Sequence, residues 1–294
     1  MKKSLLVTLA LSLVLVAAGC SNTTESTTEE VATEVEDATE TVEEDAAEAE
    51  DTAEAADTAE TEADTADAEA DAETTDAATE GVMSYADYVA ADVDTEVCVE
   101  TYVQAKQAWW EDNGVGQATF YTQNQDGAFF IYNLPCSQED YDKLVPGTKI
   151  KVTGFKSEWS GEVEIVDATY EIEDTDTFVA DAKDVTDLLG KDELIDYQNQ
   201  FVSFKGMTVE AANDAGDAFL YKWDGSGTEG DDLYFNVSLD GNTYSFTVES
   251  YLCDKDSDVY KAVQNLKVGD IVDMEGFLYW YEGVNPHITS VSVQ

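Results

Sequence analysis

Hydrophobic and polar residues alternate along much of the chain after residue 95, a pattern typical of half-buried β-strands. The first part of this region also contains the turn dipeptide Asp126-Gly127 and a helix-like segment after Ser137, where Ser137 and Asp140 have the spacing of a capping box. The predicted strands are Glu96–Gln104, Gln117–Gln123, Ala128–Leu134, Lys149–Lys156 and Glu162–Glu171. The pattern therefore predicts an all-β unit that one short helix interrupts.

The same order of features recurs later in the chain, with equivalent landmarks 117 to 122 residues apart. Gly154-Phe155 and Trp159 have counterparts in Gly276-Phe277 and Trp280. The second set of predicted strands is Phe201–Val209, Leu233–Leu239, Thr243–Tyr251, Asp270–Trp280 and His287–Val293, with a helix from about Asp256 and an extra strand within Ala218–Trp223. A repeat of this length predicts two domains of one type.

The two domains are predicted to cover residues 83–173 and 199–294. Between them, residues 174–198 form a connector in which Val185–Leu189 and Asp192–Tyr197 are predicted as short helices. Each domain has the order strand, strand, strand, helix, strand, strand, which is the order of the five-stranded barrel called the OB-fold. Gly154 and Gly276 are expected where a barrel strand bends or bulges.

The chain resembles, in this order and pattern, the tandem OB-fold domains borne by surface lipoproteins of Gram-positive bacteria. The resemblance implies an all-β fold with short helices, built from two tandem small barrels. It also implies ligand binding on the face of strands 2 and 3 and at the loops that join strands 1 to 2 and 4 to 5.

The start of the chain has the features of a lipoprotein signal. Lys2 and Lys3 precede an uncharged segment of about 15 residues, shorter than the roughly 20 residues of a membrane-spanning helix. Small residues then lead to Cys20, and this resembles the lipobox of bacterial lipoproteins, although Ala17 stands where that family more often has Leu. The resemblance implies a signal peptide over residues 1–19, a diacylglycerol on Cys20 and attachment to the outer side of the cell membrane. An ordinary cleaved signal and an uncleaved anchor are the alternatives.

Residues 20–82 are built mainly from Ala, Thr, Glu and Asp and contain neither Lys nor Arg. High net charge without large apolar residues does not offset the entropy cost of ordering, so we predict a disordered acidic linker. Its expected role is to hold the folded domains away from the membrane. The alternative is that the acidic run binds cations or a basic partner.

The whole chain carries 65 Asp and Glu against 14 Lys and Arg, for a formal net charge of −51. Because phosphate neutralisation by basic side chains dominates affinity for nucleic acids, we expect nucleic acid not to be a partner. The charge favours a neutral or cationic ligand instead. Cys98, Cys136 and Cys253 permit one disulfide at most, and Cys98–Cys136 is the pairing considered. No cofactor or metal site is expected.

Large aromatic residues cluster at the predicted binding loops. Such residues on loops act as stacking platforms for sugars, bases or quaternary amines. The candidate ligand-binding residues are Trp109, Trp110, Trp159, Trp223, Tyr279, Trp280 and Tyr281. The alternative is that these rings close the barrel ends or hold the two domains together.

We therefore expect a non-catalytic binding module whose ligand is a glycan, a cell-wall fragment or a small cationic molecule. The alternatives are a protein-interaction or envelope-assembly module, and single-stranded nucleic acid binding by analogy of fold alone. The single histidine, His287, has no accompanying nucleophile motif, and a structural role is expected for it.

Replacing Cys20 tests the predicted lipid anchor. The native chain should enter the detergent phase in phase partitioning, and Cys20→Ala should move to the aqueous phase because it lacks the acceptor thiol. Ser21→Ala, which keeps the thiol, should behave as the native chain. A Cys20→Ala variant that still enters the detergent phase would show that the anchor is wrong.

Overall fold

The structure is a computed structural model that describes residues 81–294. The predicted signal peptide, Cys20 and nearly all of the acidic linker lie outside these residues. None of the helices in the described part is long and apolar enough to cross a membrane.

The first barrel follows a short helix, α1 (Tyr85–Ala90), and contains a second helix, α2 (Gln138–Lys143), between its third and fourth long strands. Its strands are β1 (Glu96–Lys106), β2 (Trp110–Asp112), β3 (Val115–Gln123), β4 (Ala128–Pro135), β5 (Thr148–Trp159) and β6 (Glu162–Thr177). β1 pairs with β3 and β5, β3 with β4, and β5 with β6, all antiparallel. A parallel pairing of β4 with β6 closes the barrel in OB-fold order.

The second barrel repeats this topology. Its strands are β7 (Lys183–Asp184), β8 (Phe201–Glu210), β9 (Leu220–Tyr221), β10 (Leu233–Leu239), β11 (Asn242–Val248), β12 (Ile271–Phe277) and β13 (His287–Val293), with helix α3 (Asp258–Gln264) after β11. β8 pairs with β10 and β12, and β11 runs parallel to β13. The predicted fold class, an all-β chain with tandem OB-like barrels and short helices, is confirmed.

Each barrel interior is filled by the apolar members of the alternating pattern. In β1 these are Val97, Val99 and Val103, and in β8 they include Val202 and Phe204, all of which are almost fully buried. The helices are held by local caps: the Ser137 hydroxyl accepts a hydrogen bond from the Asp140 amide at 3.1 Å, as the sequence predicted.

The structure adds one detail to the sequence predictions and differs from them in two places. The turn at Asp126-Gly127 is held by Asn124, whose side-chain oxygen accepts hydrogen bonds from both amides of that dipeptide. The connector helices are 3-10 helices, at Thr186–Leu188 and Asp192–Tyr197. Cys98, Cys136 and Cys253 are all free thiols, so the pairing considered for Cys98 and Cys136 is not formed.

The two predicted bend glycines lie at strand irregularities, as expected. The register of β5 and β6 shifts between Thr153 and Phe155, and that of β12 and β13 shifts between Glu275 and Gly276. A Cβ atom on Gly276 would lie 2.2 Å from the His287 carbonyl oxygen. A side chain at this position is therefore excluded by the neighbouring strand.

The barrels meet through an aromatic cluster and direct hydrogen bonds. Tyr121 of β3 stacks on Phe277 of β12 with ring centroids 4.5 Å apart, and Phe130 of β4 is buried with them. The Gln123 side-chain oxygen accepts a hydrogen bond from the Phe201 amide at 2.8 Å. The first and second barrels therefore share a small core of their own.

The close approach at Gly276 predicts a large effect of a small substitution. We expect Gly276→Ala to lower the free energy of unfolding by about 3 kcal/mol, since the added methyl group forces β13 away from β12. Gly206→Ala is the matched control, because a Cβ atom there meets nothing within 4 Å and only the positive φ of +65° opposes it. We expect Gly206→Ala to lower the free energy of unfolding by about 1–2 kcal/mol. Urea unfolding of both variants measures the difference, and equal losses would contradict the packing argument.

Candidate ligand-binding cleft

Two neighbouring cavities lie where the barrels meet, and they share Glu249, Tyr279 and His287 in their walls. We call the two cavities together the aromatic cleft. Their volumes are about 520 Å³ and 730 Å³. Cavities of this size are typical of small-molecule sites.

The smaller cavity is lined by both barrels. The first barrel contributes Trp110 from β2 together with Phe130 and Tyr132 from β4, and the second contributes Tyr251 after β11. The amide of Ala108 donates a hydrogen bond to the Tyr251 carbonyl oxygen at 2.8 Å, which fixes the loop that carries Trp110 beside the second barrel.

The larger cavity has walls of exposed aromatic rings. Trp159 at the end of β5 lies against Tyr281, with ring centroids 5.1 Å apart, so one wall combines residues of both barrels. Trp223, which follows β9, and Tyr234 of β10 also line this cavity. Trp223 is 73% exposed and Trp159 is 53% exposed. More than half of the surface of each residue is therefore accessible to solvent.

Buried polar residues form the floor of the aromatic cleft. The Tyr121 hydroxyl and His287 Nδ1 are joined by a hydrogen bond of 2.6 Å, and Tyr279 stacks on the His287 ring at 4.2 Å. The Gln107 side-chain amide donates to both carboxyl oxygens of Glu249 at 3.0 Å. The floor therefore connects the first barrel to the second by hydrogen bonds at two points.

The floor residues have strongly shifted pKa values. Burial, together with the charge of Asp232, raises the pKa of Glu249 to about 8. Burial lowers the pKa of His287 to about 3. At neutral pH Glu249 is therefore mostly protonated and His287 is neutral. His287 Nδ1 and Glu249 Oε2, which lie 3.9 Å apart, accordingly do not form an ion pair.

The remaining charge in the aromatic cleft is negative. Asp232 and Glu282 line the larger cavity, and the Asp232 carboxylate accepts hydrogen bonds from the amide and hydroxyl of Ser250 at 2.8 Å and 2.6 Å. Within residues 81–294, the walls of these two cavities include no lysine. The cleft can thus stack rings, accept hydrogen bonds and place carboxylates near a bound group.

The structure brings together five of the seven aromatic residues that the sequence indicated. Those five, which line the aromatic cleft, are Trp110, Trp159, Trp223, Tyr279 and Tyr281. Trp109 lies elsewhere, because its indole N–H donates to the Cys136 carbonyl oxygen at 3.0 Å and its ring packs against the first core.

Trp280 also lies outside the cleft walls, at the joint between the barrels. Its indole ring packs against Gly161 of the first barrel, and its backbone amide donates to a carboxyl oxygen of Glu162 at 2.9 Å. For Trp109 and Trp280 the structure thus shows the alternative role that the sequence left open, packing within and between domains.

Sequence reasoning missed the polar floor. Glu249 is one of 65 acidic residues, so nothing in the sequence distinguishes it. His287 was expected to be structural, and it is indeed buried and hydrogen-bonded, but its place in the floor depends on the second barrel meeting the first. Tyr132, Tyr234 and Tyr251 also line the cleft and were not singled out.

Comparisons with models of known protein families and with curated protein sequences find no match. Solved structures do match. A murine DNA-binding protein bound with double-stranded DNA has a TM-score of 0.32 and 11% identity, over 67% of this chain and 94% of that chain. The HINa domain of Ifi202 in complex with 20 bp double-stranded DNA has a TM-score of 0.29 and 13% identity, over 69% and 96%. A replication protein A heterotrimer bound to single-stranded DNA has a TM-score of 0.28 and 12% identity, over 68% and 49%.

At these identities and scores the likeness concerns the fold alone. It nevertheless corrects one expectation. We expected nucleic acid not to be a partner, on the ground of net charge, and that expectation is wrong as an exclusion, since the matching proteins are bound to double-stranded or single-stranded DNA.

The buried Glu162, which accepts a hydrogen bond from the Trp280 amide where the barrels meet, should make the stability of the protein depend on pH. Burial raises the pKa of Glu162 to about 8 from its ordinary 4.5, so the native state keeps a proton that the unfolded chain releases. The stabilising effect is complete below pH 4.5 and is lost as the pH rises through 8. Glu162→Gln, which stays neutral, should make the fall in the free energy of unfolding between about pH 6.5 and 8 less steep without abolishing it, because Glu249, whose pKa is also raised to about 8, contributes to the same fall.

Urea unfolding at several pH values in this range measures the slope. The range lies above the ordinary pKa of His287, 6.5, so the opposite contribution of that residue is small there. Glu171→Gln, an exposed position on the same strand, should keep the native slope. The same slope in Glu162→Gln and the native chain would show that Glu162 does not hold the proton.

Proposed function

We propose that this chain is a non-catalytic binding module, and that its ligand carries flat or weakly polar ring faces and binds in the aromatic cleft. The observation that carries the proposal is the set of exposed rings that converge there from both barrels. Trp110 is 44% exposed, and Trp159 and Trp223 are more exposed still. Rings that face solvent within one concave surface have no role in the core and suit stacking against a ligand.

The polar groups of the cleft favour a ligand that is neutral or cationic. Asp232 and Glu282 provide carboxylates, and the buried His287 is neutral and adds no positive charge. A glycan or a cell-wall fragment offers apolar sugar faces for the rings and hydroxyl groups for the carboxylates. A small ammonium compound would meet the same rings through cation–π contacts.

The position of the binding module in the cell is part of the same proposal. The features around Cys20 support a lipid anchor on the outer side of the cell membrane, and the acidic residues that follow support a spacer. A module held in this way would sample ligands of the cell envelope.

A second candidate ligand is single-stranded nucleic acid. The observation that favours it is the location of the exposed rings: Trp110 lies between the first two long strands of its barrel, and Trp159 ends the strand before the last. OB-folds bind oligonucleotides at these two loops, and stacking of bases on aromatic side chains is tolerant of sequence.

Tryptophan fluorescence of the full-length chain in detergent distinguishes the candidates. Separate titrations use muropeptides released from cell wall, choline and an oligothymidine. We expect a saturable change with muropeptides or choline. A saturable change with the oligothymidine alone would replace the leading candidate with the second, and no change with any of the three would contradict both.

Variants locate the binding site. Trp223→Ala should weaken binding by about fivefold to a hundredfold, because one stacked ring contributes roughly 1–3 kcal/mol. Phe155→Ala is the matched control, since Phe155 is also exposed and aromatic but lies outside the cleft walls. If both variants bind as the native chain does, the ligand does not occupy the aromatic cleft.

A further inference from the structure

A third cavity, of about 320 Å³, adjoins the larger cavity of the aromatic cleft on the second barrel. The third and larger cavities share Trp223, Tyr234, Tyr281 and Asn285 in their walls. The larger and smaller cavities share three residues of the polar floor, whereas the smaller and third cavities share no lining residue. The larger cavity therefore lies between the other two. We call the three cavities together the extended groove.

The third cavity lies on the outer face of β10 and β11, which are the second and third long strands of their barrel. Tyr234 and Asn236 of β10 pair with Thr247 and Ser245 of β11. Residues two apart along a strand point to the same side, and Phe235, which lies between the two residues of β10, is buried in the barrel. The groove thus follows the strand face on which OB-folds bind oligonucleotides and oligosaccharides.

At its other end the extended groove continues onto the first barrel. Phe130 and Tyr132 of β4 are likewise two residues apart, and they line the smaller cavity together with Trp110. Phe130 packs against Tyr279 of the floor with ring centroids 5.4 Å apart, whereas Tyr132 and Trp110 are exposed. The contact between Phe130 and Tyr279 therefore connects the strand face of the first barrel to the floor of the cleft.

The extended groove is larger than one small molecule needs. Small-molecule sites have volumes of about 300–1,000 Å³, and the 520 Å³ and 730 Å³ of the aromatic cleft together exceed that range before the third cavity is included. Exposed rings recur along the groove: Trp110 lines the smaller cavity, Trp159 the larger, and Trp223 both the larger and the third. Recurring rings suit a chain of similar units, each of which can stack on one of them.

The polar groups between these rings favour an uncharged chain with many hydroxyl groups. The Asn285 side-chain oxygen accepts a hydrogen bond from the Thr247 hydroxyl at 2.8 Å, which fixes the Asn285 amide where the larger and third cavities adjoin. Asn236 adds an amide in the third cavity, and Asp232 and Glu282 add carboxylates in the larger one. Within residues 81–294, no lysine lines any of the three cavities. The extended groove therefore favours an uncharged chain over an anionic one.

Building on the function proposed for the aromatic cleft, we propose that the two barrels together bind one linear, uncharged oligosaccharide along the extended groove. The chain runs from Trp110 of the first barrel to Trp223 of the second and onto the outer face of β10 and β11. Its sugar rings stack on the exposed aromatic rings, and its hydroxyl groups donate to Asp232 and accept from the Asn285 amide. Neither barrel alone offers the whole site, so the affinity depends on the length of the chain.

Oligosaccharides of increasing length test this joint site. Calorimetric titrations of the full-length chain in detergent use two series, β-1,4-linked N-acetylglucosamine and β-1,4-linked glucose, each from the disaccharide to the hexasaccharide. For at least one series we expect one hexasaccharide to bind per chain, at least about tenfold more tightly than the disaccharide, because more of its rings are stacked.

The outcomes separate this proposal from the one it builds on. A disaccharide that binds as tightly as the hexasaccharide, or two hexasaccharides per chain, would overturn the joint site and leave the aromatic cleft as a binding site. No binding in either series would also overturn the joint site, while the titrations with muropeptides and choline decide on the cleft. A rise of affinity with length only among oligothymidines would overturn the oligosaccharide in favour of the second candidate ligand.

Substitutions on the two barrels show whether one molecule spans both. Trp110 and Trp223 line no common cavity, and Trp110→Ala and Trp223→Ala should each weaken hexasaccharide binding by about fivefold or more. The disaccharide is too short to reach both rings, so its affinity should respond to one substitution at most. Phe155→Ala, outside the walls of all three cavities, is the control for both ligands. A hexasaccharide that responds to only one of the two tryptophan substitutions occupies one barrel, and the proposal then fails.

Discussion

The contact between Tyr121 and the second barrel is the constraint on which the rest of this structure depends. Its ring stacks on Phe277 and its hydroxyl is hydrogen-bonded to His287, so one side chain of the first barrel is both packed and paired in the second. The stacked rings of Tyr121 and Phe277 set the distance between the two barrels. The hydrogen bond to His287 depends on direction as well as distance, so it also restricts the rotation of one barrel against the other. The aromatic cleft exists because the barrels are held in this one arrangement.

The joint is unusual in how little charge it uses. The formal net charge of the whole chain is −51, yet the ionisable groups buried where the barrels meet include Glu162, Glu249 and His287, which are all mostly neutral at pH 7. A buried ionised carboxylate without a partner would cost several kcal/mol, and proton uptake avoids that cost. Two negatively charged barrels are thereby joined through buried side chains that are mostly neutral at pH 7.

The fold could be predicted from the sequence because it depends on local alternation and on a repeat. The predicted bounds of Leu233–Leu239 and His287–Val293 agree with the strands observed. The cleft could be predicted only in part. Trp109 and Trp110 are adjacent, and in an extended chain adjacent side chains point to opposite sides, so one indole packs inward and the other faces the cleft. The sequence does not show which of the two indoles packs in the core and which lines the cleft.

The attachment of helix α1 has a mechanical consequence. The Met83 amide donates to the Cys98 carbonyl oxygen at 2.7 Å, and Lys156 holds three carbonyl oxygens at the end of α1. A pull applied at residue 81 therefore loads β1 and β5 of the first barrel. The contact between Tyr121 and Phe277 takes no part in this attachment, so the chain that precedes residue 81 is anchored on the first barrel, away from the place where the barrels meet.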